Sequence, residues 1–520
     1  MKHKHYLPAL TLLASGAAIA QTSTPPPNVI IILADDIGYG DLGWLGAKTI
    51  HTPNVNRLAD EGIRFTNCHA TSATSTPSRY GLLTGMYPWR KEGTGIAPGD
   101  AAMIINPKQY TLADLFKQAD YTTGAVGKWH LGLGGETGKQ NWNGEISPAL
   151  KDIGFDYSFI MAATGDRVPC VYIENGKVVN LDPADPIEVS YKKPFEGEPT
   201  GKNNPELLRV HPSHGHDMAV VDGIPRIGYM RGGKSALWHD EDIADRITEK
   251  AVNFIKNNQN HPFFLYFGTN DIHVPRVPHP RFAGKSGMGA RGDAILSFDH
   301  TVGAVMHVLD SLNIADNTLI ILTSDNGPVV DDGYQDQAVE LLGNHTPAGI
   351  LRGGKYSIFE GGTRVPFIVR WKKGVKAAQV SDALLSQVDI MASMADLINV
   401  AMPANAAPDS KNYLTELLGK KRIGRQQLIE QNINNTLSVV TPEWKYIEPS
   451  NAPKADKYTN TELGNHREDQ LYNLKKDKAE RNNVAVQKPI VVKKLKKILE
   501  EEKLRIDRLQ TIDNRPLTID

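Results

Sequence analysis

Five short runs along the chain are mostly apolar, with no regular alternation between hydrophobic and polar residues. They span residues 28–34, 122–127, 263–268, 318–324 and 365–371. A run of this kind is typical of a strand that is buried on both faces of a parallel sheet. The pattern therefore predicts five strands of one central sheet.

Helical patterns separate these runs. One helix is predicted to begin with Thr52 as N-cap and Pro53 as its first residue, and to stop at Gly62. Thr111 and Asp114 have the spacing of a capping box at the start of a second helix. A third helix has an apolar face formed by Ile243, Ile247, Ala251, Phe254 and Ile255. Strands that alternate with helices predict an α/β fold, a large and mainly parallel central sheet sandwiched by helices.

The pattern weakens in two places. Residues 134–235 have little periodicity and many Gly, Pro and charged residues, and we interpret them as a long excursion that could shape a binding site. A Pro- and Ala-rich stretch near residues 400–410 predicts a boundary. We therefore predict a catalytic domain over 28–404 and a smaller α+β subdomain over 405–520. The subdomain should end in an amphipathic helix whose inward residues are Val491, Leu495, Ile498 and Leu499.

The N-terminus has the pattern of an export signal. A basic start and a short apolar stretch lead to Ala18 and Ala20, which form a small-residue cleavage site before Gln21. This pattern predicts a signal peptide over 1–20 and a linker over 21–27. The apolar stretch is shorter than the ~20 residues that a membrane span needs. We therefore expect an exported protein, periplasmic or secreted, without a membrane anchor.

Composition limits the possible classes of function but does not indicate an activity. The chain has 520 residues, a net charge of −1 and 22% charged residues, as in ordinary soluble globular proteins. A net charge near zero provides no overall field that would recruit nucleic acid, so any recognition of anions must be local. Cys68 and Cys170 are the two cysteines. In an exported protein they could pair, or both could remain as buried thiols.

Polar residues follow four of the apolar runs. They are Asp35 and Asp36, then Lys128 and His130, then His273, and finally Asp325 and Asn326. A single Asp after a strand is usually a turn residue. The carboxyl ends of parallel strands, however, lie along one edge of the sheet, where ligands bind in such folds. Four such strand ends together predict a functional site.

Four of these side chains offer only oxygen as a ligand atom: Asp35, Asp36, Asp325 and Asn326. Such a set suits a hard cation such as Ca²⁺ or Mg²⁺, whereas zinc sites usually include His or Cys. One divalent ion would partly balance the three carboxylates and leave room for an anionic ligand.

The stretch "SATSTPSRYGLLTG" predicts an anion site at the start of a helix. Thr76 is the predicted N-cap and Pro77 the first helical residue, which places Ser75 just before the helix. Free N–H groups and the helix dipole favour an anion at this position, and Arg79 lies one turn further on. Lys128 and Lys355 could add positive charge.

These segments resemble the sulfatase family, part of the alkaline-phosphatase-like superfamily. "SATSTPSRYGLLTG" is similar to the family's first signature, and "YTTGAVGKWHLG" is similar to the second, with Asp120 where Gly is usual. "ADDIGYGDLG", "SDNGP", "GGKYSIFEGGTRVPFIVRW" and "DQLYNLKKDKAERNN" resemble further blocks of the family. The resemblance covers roughly residues 28–485 and implies hydrolysis of sulfate esters.

The resemblance also implies a chemical change at Ser75. In the family, the residue at this position is oxidised to formylglycine, whose hydrate is a nucleophile that serine is not. Serine rather than cysteine resembles the version that is oxidised by a radical-SAM maturase, which needs no oxygen. The maturase is expected to act on the unfolded chain before or during export.

Position by position, the resemblance implies a role for each candidate. One Ca²⁺ would be held by Asp35, Asp36, Asp325, Asn326 and the modified Ser75. Arg79 resembles the group that steadies the formylglycine, and Lys128 and Lys355 resemble the sulfate-binding lysines. His130 resembles the histidine that orients or deprotonates the hydrate, and His273 resembles the group near the leaving oxygen, a candidate general acid. Thr164 is a candidate for a hydroxyl group near the sulfate.

Two other activities are compatible with the superfamily. One is a phosphate or phosphonate ester hydrolase, although phosphonate hydrolases carry His at the position of Asn326. The other is an inactive protein that binds sulfated glycans, which would be expected to have lost Ser75, Arg79 or a metal ligand. An exported sulfatase with a long excursion favours a sulfated carbohydrate of mucin or glycosaminoglycan type. Candidate sugar contacts are His211, His214, His216, Asp217, Arg226, Arg231, Trp238 and His239.

Overall fold

The structure, a computed structural model, describes Met1 and residues 26–513. The predicted signal peptide, apart from Met1, and most of the predicted linker lie outside the described residues. None of the helices in the described part combines the length and the apolar character that a membrane crossing requires.

The described chain contains twenty strands and nine α-helices. In chain order the strands are β1 Asn28–Ala34, β2 Ile63–Phe65, β3 Cys68–His69, β4 Thr122–Lys128, β5 Tyr157–Met161, β6 Tyr172–Glu174, β7 Lys177–Val178, β8 Glu188–Ser190, β9 Val220–Val221, β10 Ile224–Pro225, β11 Tyr229–Arg231, β12 Phe263–Gly268, β13 Thr318–Ser324, β14 Phe367–Arg370, β15 Gln379–Ser381, β16 Leu385–Ser386, β17 Leu428–Gln431, β18 Leu437–Val440, β19 Trp444–Ile447 and β20 Gln470–Asn473. The helices are α1 Pro53–Asp60, α2 Ser75–Thr84, α3 Leu112–Gln118, α4 Ile243–Asn257, α5 Gly289–Ser311, α6 Glu360–Thr363, α7 Ile390–Leu397, α8 Leu414–Leu417 and α9 Pro489–Asp513.

A central sheet of ten strands has the order β15-β2-β14-β13-β1-β12-β4-β5-β6-β7. The five adjacent strands β13, β1, β12, β4 and β5 pair in parallel. Strand β14 pairs antiparallel with both of its neighbours. The apolar runs form β1, β4, β12, β13 and β14, so the prediction of a large, mainly parallel sheet is confirmed.

Helices cover both faces of this sheet. On β12, Phe263 packs edge-on against Phe254 of α4, and Phe264 stacks on Phe116 of α3 with ring centroids 4.3 Å apart. Successive residues of a strand point to opposite faces, so α3 and α4 lie on opposite sides of the sheet. This arrangement explains why the runs are mostly apolar: neither face meets water.

The predicted helices form, but one cap differs. Thr111 and Asp114 make the expected capping box at the start of α3. Thr52 occupies the N-cap position of α1 without a capping hydrogen bond, because its hydroxyl accepts one from the N–H of Gly43. All five residues predicted to form the inner face of α4 are buried.

A second sheet stands near the C-terminus. Strands β17, β18, β19 and β20 form an antiparallel sheet in that order, and α9 packs against it. On α9, Leu495 and Leu499 are buried as predicted, Val491 and Ile498 are partly buried, and Val492 is also buried. The residue numbers given above for the domain boundaries remain predictions.

A buried ionic cluster joins the C-terminal sheet to α6 and to β3, which pairs with β16 outside the central sheet. The ammonium group of Lys445 lies 3.1 Å from Glu360, 3.2 Å from Glu430 and 3.8 Å from Glu480. His69 of β3 lies 2.7 Å from Glu430. Burial raises the pKa of Glu480 to about 8. Because Glu360 belongs to the segment that follows Lys355, this cluster fixes a part of the chain that reaches the predicted site.

Cys68 and Cys170 are both buried and do not form a disulfide with each other. Of the two alternatives that the sequence left open, the structure has the buried thiols.

Candidate active site

The predicted site residues gather at one edge of the central sheet. Strands β13, β1, β12 and β4 are adjacent and parallel, so their carboxyl ends lie side by side. The four residues with oxygen ligand atoms and Lys128 are buried, with no more than 1% of their surface exposed. His130 and His273 are buried as well. The sheet therefore brings together groups that are far apart in sequence.

Ser75 is the first residue of α2, so the helix begins two residues earlier than predicted. The predicted N-cap, Thr76, lies inside the first turn, where its hydroxyl donates to the carbonyl of His130 and accepts from the N–H of Ala97. Pro77 is tolerated in this turn because the first N–H groups of a helix have no partner within the helix. Ser75 is 3% exposed, and its hydroxyl accepts a hydrogen bond of 2.9 Å from Lys128.

A network of two cations and two carboxylates reaches the Ser75 hydroxyl through Lys128. The ammonium group of Lys128 donates to Asp35 at 2.6 Å, and Arg79 donates to Asp325 at 2.7 and 3.1 Å. Burial would raise the pKa of Asp325, but Arg79 and Lys128 outweigh it and hold that pKa below its usual value. At Asp35, burial raises the pKa well above the usual range despite Lys128. Arg79 thus fixes Asp325 in its ionised form.

Lys355 reaches the site from the loop before α6. Its ammonium group donates to Asp36 and to Asp332, at 2.8 Å in each case. These carboxylates raise the pKa of Lys355 well above its usual value, although burial opposes them. Lys355 is therefore a fixed positive charge.

Ser75 opens into a cavity of about 400 Å³. The wall next to Ser75 also contains His130, His273 and Lys355. The excursion contributes Asp166, Arg167, His214, Gly215, His216 and Ile227 to the cavity wall. The C-terminal part of the chain contributes Ile433, Asp456, Tyr458 and Thr459. The cavity can therefore hold a ligand larger than sulfate beside Ser75.

His130 presents an unprotonated nitrogen at this wall. Its Nε2 lies 2.9 Å from the carbonyl oxygen of Ala97, which can only accept, so Nε2 carries the proton. Its Nδ1 is buried and has no hydrogen-bond partner among the described residues. Burial, and then Lys128, lower the pKa of His130 well below its usual value. Its Nδ1 is therefore unprotonated and can accept a hydrogen bond.

His273 is held in the opposite tautomer, with its proton on Nδ1. Its Nδ1 donates to the carbonyl of Val274 at 2.7 Å, and its Nε2 lies 4.0 Å from Asp36. Burial and the charge of Lys355 lower the pKa of His273 well below its usual value. To act as a general acid, His273 must take up a proton when an anion enters the cavity.

The strand-end residues fit a hard divalent cation. Oδ1 of Asp35 and Oδ1 of Asn326 are buried and accept no hydrogen bond from any described residue. Buried acceptors without partners are costly and rare. Ligand atoms of Asp35, Asp36 and His273 lie within 4.8 Å of one another. Unpaired oxygens beside a group of carboxylates are the donor set that Ca²⁺ prefers.

Some candidates lie elsewhere. The hydroxyl of Thr164 bonds to Asp166 and Arg167, and Thr164 is not part of the cavity wall. Arg226 is buried in an ion pair with Asp240, and Trp238 is buried in the core. Six of the eight candidate sugar contacts do not line the cavity: His211, Asp217, Arg226, Arg231, Trp238 and His239. Only His214 and His216 among the eight do so.

Sequence reasoning missed most of the wall residues, among them Asp166, Arg167, Asp332 and Tyr458. Asp166 accepts from Arg167 at 2.8 Å and from His216 at 2.9 Å. Tyr458 stacks on His214 with centroids 4.9 Å apart. Each lies in a loop without periodicity, where only adjacent polar residues, as in "GDR", gave a signal.

This combination of fold and site is that of the sulfatases. The model of the Sulfatase family matches residues 27–400. The chain belongs to this family, and it is a sulfuric ester hydrolase. This match confirms the family that the sequence motifs predict.

Two relatives illustrate the range of sequence identity within the family. The chain is 59% identical over 479 residues to an N-acetylgalactosamine-6-O-sulfatase of Bacteroides thetaiotaomicron, covering 92% of this chain and 93% of that protein. It is 31% identical to a steryl-sulfatase of Rattus norvegicus, covering 87% of this chain and 80% of that protein.

Two solved structures have the same fold as this chain. A structure described under the metabolism of multiple glycosaminoglycans by Bacteroides thetaiotaomicron superposes with a TM-score of 0.91 and 58% identity, covering 92% of this chain and 100% of that chain. A phosphonate monoester hydrolase of Agrobacterium radiobacter superposes with a TM-score of 0.55 and 16% identity, covering 92% and 96%, and shares the fold alone.

Proposed function

We propose that this sulfatase removes the 6-O-sulfate from N-acetylgalactosamine in a sulfated glycan. The observation that carries this proposal is the 59% identity, over 92% of the chain, to a protein that is named for this activity. The cavity beside Ser75 supports it, because its volume of about 400 Å³ accommodates a sugar in addition to the sulfate group. Its polar wall suits a ligand that carries hydroxyls.

The proposed nucleophile is formylglycine formed from Ser75, and the proposed metal is one Ca²⁺ at the strand ends. The hydrated aldehyde supplies two hydroxyl groups on one carbon, and the ion supplies positive charge next to the sulfate. Asp35, Asp36, Asp325 and Asn326 would hold the ion. The unpaired oxygens of Asp35 and Asn326 support this assignment.

The chain's own residues prepare the reaction around position 75. Lys128 already donates to the oxygen at this position, at 2.9 Å, and so fixes its orientation. His130 can accept a proton there through its free Nδ1. Lys355 supplies a cation at the cavity wall that can bind a sulfate oxygen and stabilise negative charge that develops on it.

Sugar recognition is assigned to the part of the cavity wall that the excursion contributes. Arg167 and Asp166 form an ion pair at 2.8 Å there, and His216 is bonded to Asp166. Such a network presents donors and acceptors in fixed directions, as recognition of sugar hydroxyls requires. Tyr458 and His214 form the aromatic part of the same wall.

Export and maturation complete the proposal. A signal peptide over residues 1–20 would deliver the protein to the periplasm or the medium. A radical-SAM maturase that needs no oxygen would convert Ser75 before folding. The burial of Ser75, which is 3% exposed, supports this order, since an enzyme cannot reach the folded site easily.

A panel of sulfated sugars tests the substrate. Matured protein should act on N-acetylgalactosamine 6-sulfate with a kcat/KM about 100-fold above that for its C4 epimer, N-acetylglucosamine 6-sulfate. The 4-sulfate of N-acetylgalactosamine is the control for position. Equal rates on the two epimers, or preference for the 4-sulfate, would contradict the assignment.

His273→Ala should reveal whether this histidine protonates the leaving oxygen. An alkoxide needs a proton as it leaves, whereas nitrophenolate does not. We therefore expect a loss in kcat of about 10³-fold on the sugar sulfate and of about tenfold on nitrophenyl sulfate. Steady-state rates on both substrates measure the difference. Equal losses would show a binding or structural role instead.

A further inference from the structure

The hydrolysis described above does not account for one carboxylate at the anion site. Asp332 lies in the loop after β13 and lines the cavity together with Ser75 and Lys355. It is 7% exposed. It accepts from the Lys355 ammonium group at 2.8 Å and from the Tyr356 hydroxyl at 3.2 Å. A carboxylate beside a lysine that binds an anion weakens that binding, so its presence needs a reason.

Placement of Lys355 does not depend on Asp332. The N–H of Lys355 donates to the carbonyl of Pro328 at 2.8 Å, and its ammonium group is also held by Asp36. Tyr356 has a φ of 80°, an unusual value for an aromatic residue, yet its backbone is bonded on both sides, to Ala73 and Ile433. The backbone and Asp36 thus fix this segment.

The charge of Asp332 is only partly balanced. Among the described residues its single salt-bridge partner is Lys355, which it shares with Asp36. Asp166, another carboxylate of the cavity wall, has its own partner in Arg167. Although burial raises the pKa of Asp332, Lys355 brings it below its usual value, so Asp332 is an anion at neutral pH.

An anion that binds Lys355 therefore lies within roughly 6 Å of a second negative charge. Coulomb repulsion is proportional to the charge of the ligand. A sulfate ester carries one negative charge, whereas a phosphate monoester carries nearly two above pH ~7, because its second pKa is about 6. The same carboxylate thus repels a phosphate ester about twice as strongly as a sulfate ester.

We propose that Asp332 is a specificity residue, which excludes dianionic phosphate esters and admits monoanionic sulfate esters of the same shape. Discrimination of this kind uses repulsion of the wrong ligand rather than extra contacts with the right one. The inference rests on the proposed function for the sugar, but its charge argument applies to any sulfate ester that Lys355 binds.

Calorimetric binding in a Ser75→Ala background tests the proposal, because no turnover interferes. The ligands are two matched pairs: the 6-sulfate and 6-phosphate of N-acetylgalactosamine, and nitrophenyl sulfate and nitrophenyl phosphate. At about pH 8, Asp332→Asn should lower the Kd of each phosphate about tenfold more than the Kd of the matching sulfate. Asp332→Glu keeps the charge and should preserve the original ratio.

Asp331→Asn is the matched control. Asp331 is the preceding residue, does not line the cavity, and accepts from Ser213 at 2.9 Å through an oxygen that Asn retains. The Asp331→Asn variant should leave the ratio of the phosphate Kd to the matching sulfate Kd unchanged within about twofold. If Asp332→Asn does not fold, as judged by thermal unfolding, Asp332→Ser provides the neutral side chain.

The outcomes separate the two proposals. Equal changes in Kd for phosphate and sulfate, or no change, would overturn the role of Asp332. A shifted ratio for the nitrophenyl pair, with no binding of the sugar pair, would support Asp332 and count against N-acetylgalactosamine as the substrate.

Discussion

Ser75→Ala should reduce turnover by about 10⁴-fold or more, while the protein still folds. The variant removes the oxygen that Lys128 holds at 2.9 Å, and with it every nucleophile that could form at this position. The loss should appear in kcat on both sugar and aryl sulfates. Ser78→Ala is the matched control: Ser78 is a buried serine of the same helix whose hydroxyl donates to the carbonyl of Ser72.

The chemical state of Ser75 can be read directly. In active protein, mass spectrometry of the peptide containing "TSTPSR" should find Ser75 two hydrogens lighter than serine. Protein from a host without a suitable maturase should fold and turn over poorly. Ser75→Cys should regain activity in hosts whose maturase accepts cysteine. Full activity from protein with only unmodified serine would refute the proposed nucleophile.

Asp325→Asn should release the metal and reduce activity by about 10³-fold. Asp325 accepts from Arg79 at 2.7 Å and lies 3.7 Å from Lys128, so loss of its charge leaves two buried cations without their shared partner. These cations would then repel Ca²⁺ from the strand ends. Elemental analysis of dialysed protein should find about one calcium per chain in the unsubstituted protein and less than about 0.1 per chain in Asp325→Asn.

Loss of a buried charge also destabilises a protein, by about 3–5 kcal/mol when a partner remains unpaired. Asp299→Asn controls for this effect. Asp299 is 4% exposed and accepts from the N–H of Val55, far from the strand ends in sequence. It should lower the melting temperature but keep the calcium. Active protein that contains stoichiometric zinc and no calcium would contradict the proposed metal.

The hydrophobic pattern predicts the central sheet well because burial on both faces favours apolar residues at most positions of a strand. Strand β1 covers the predicted residues 28–34, and β13 covers 318–324. The strand-end residues then follow from topology alone, since parallel neighbours end at one edge. Their closeness could be predicted, whereas their partners could not: nothing in the sequence indicates that Asp332 shares Lys355 with Asp36.

The cavity wall was harder to predict because it is made of loops. Asp166 and Tyr458 come from segments without periodicity. Their positions depend on contacts that are distant in sequence, with His216 for Asp166 and with His214 for Tyr458. The start of α2 was placed two residues late because Thr76 has the chemistry of an N-cap. In the structure its hydroxyl instead donates to the carbonyl of His130 and accepts from the N–H of Ala97. These partners are distant in sequence, so the local pattern does not predict them.

The wall that Ile433 and Tyr458 contribute has a consequence for the order in which the site comes into being. Ribosomes add about 5–20 residues per second, so roughly 20–80 s pass between the synthesis of Ser75 and that of Tyr458. During that interval the cavity has no C-terminal wall, and strands β12 and β13 are made only midway through it. Nascent Ser75 is thus open to solvent for most of translation and enclosed soon after it ends. An enzyme that modifies this serine must therefore act before the rest of the chain is synthesised and encloses it.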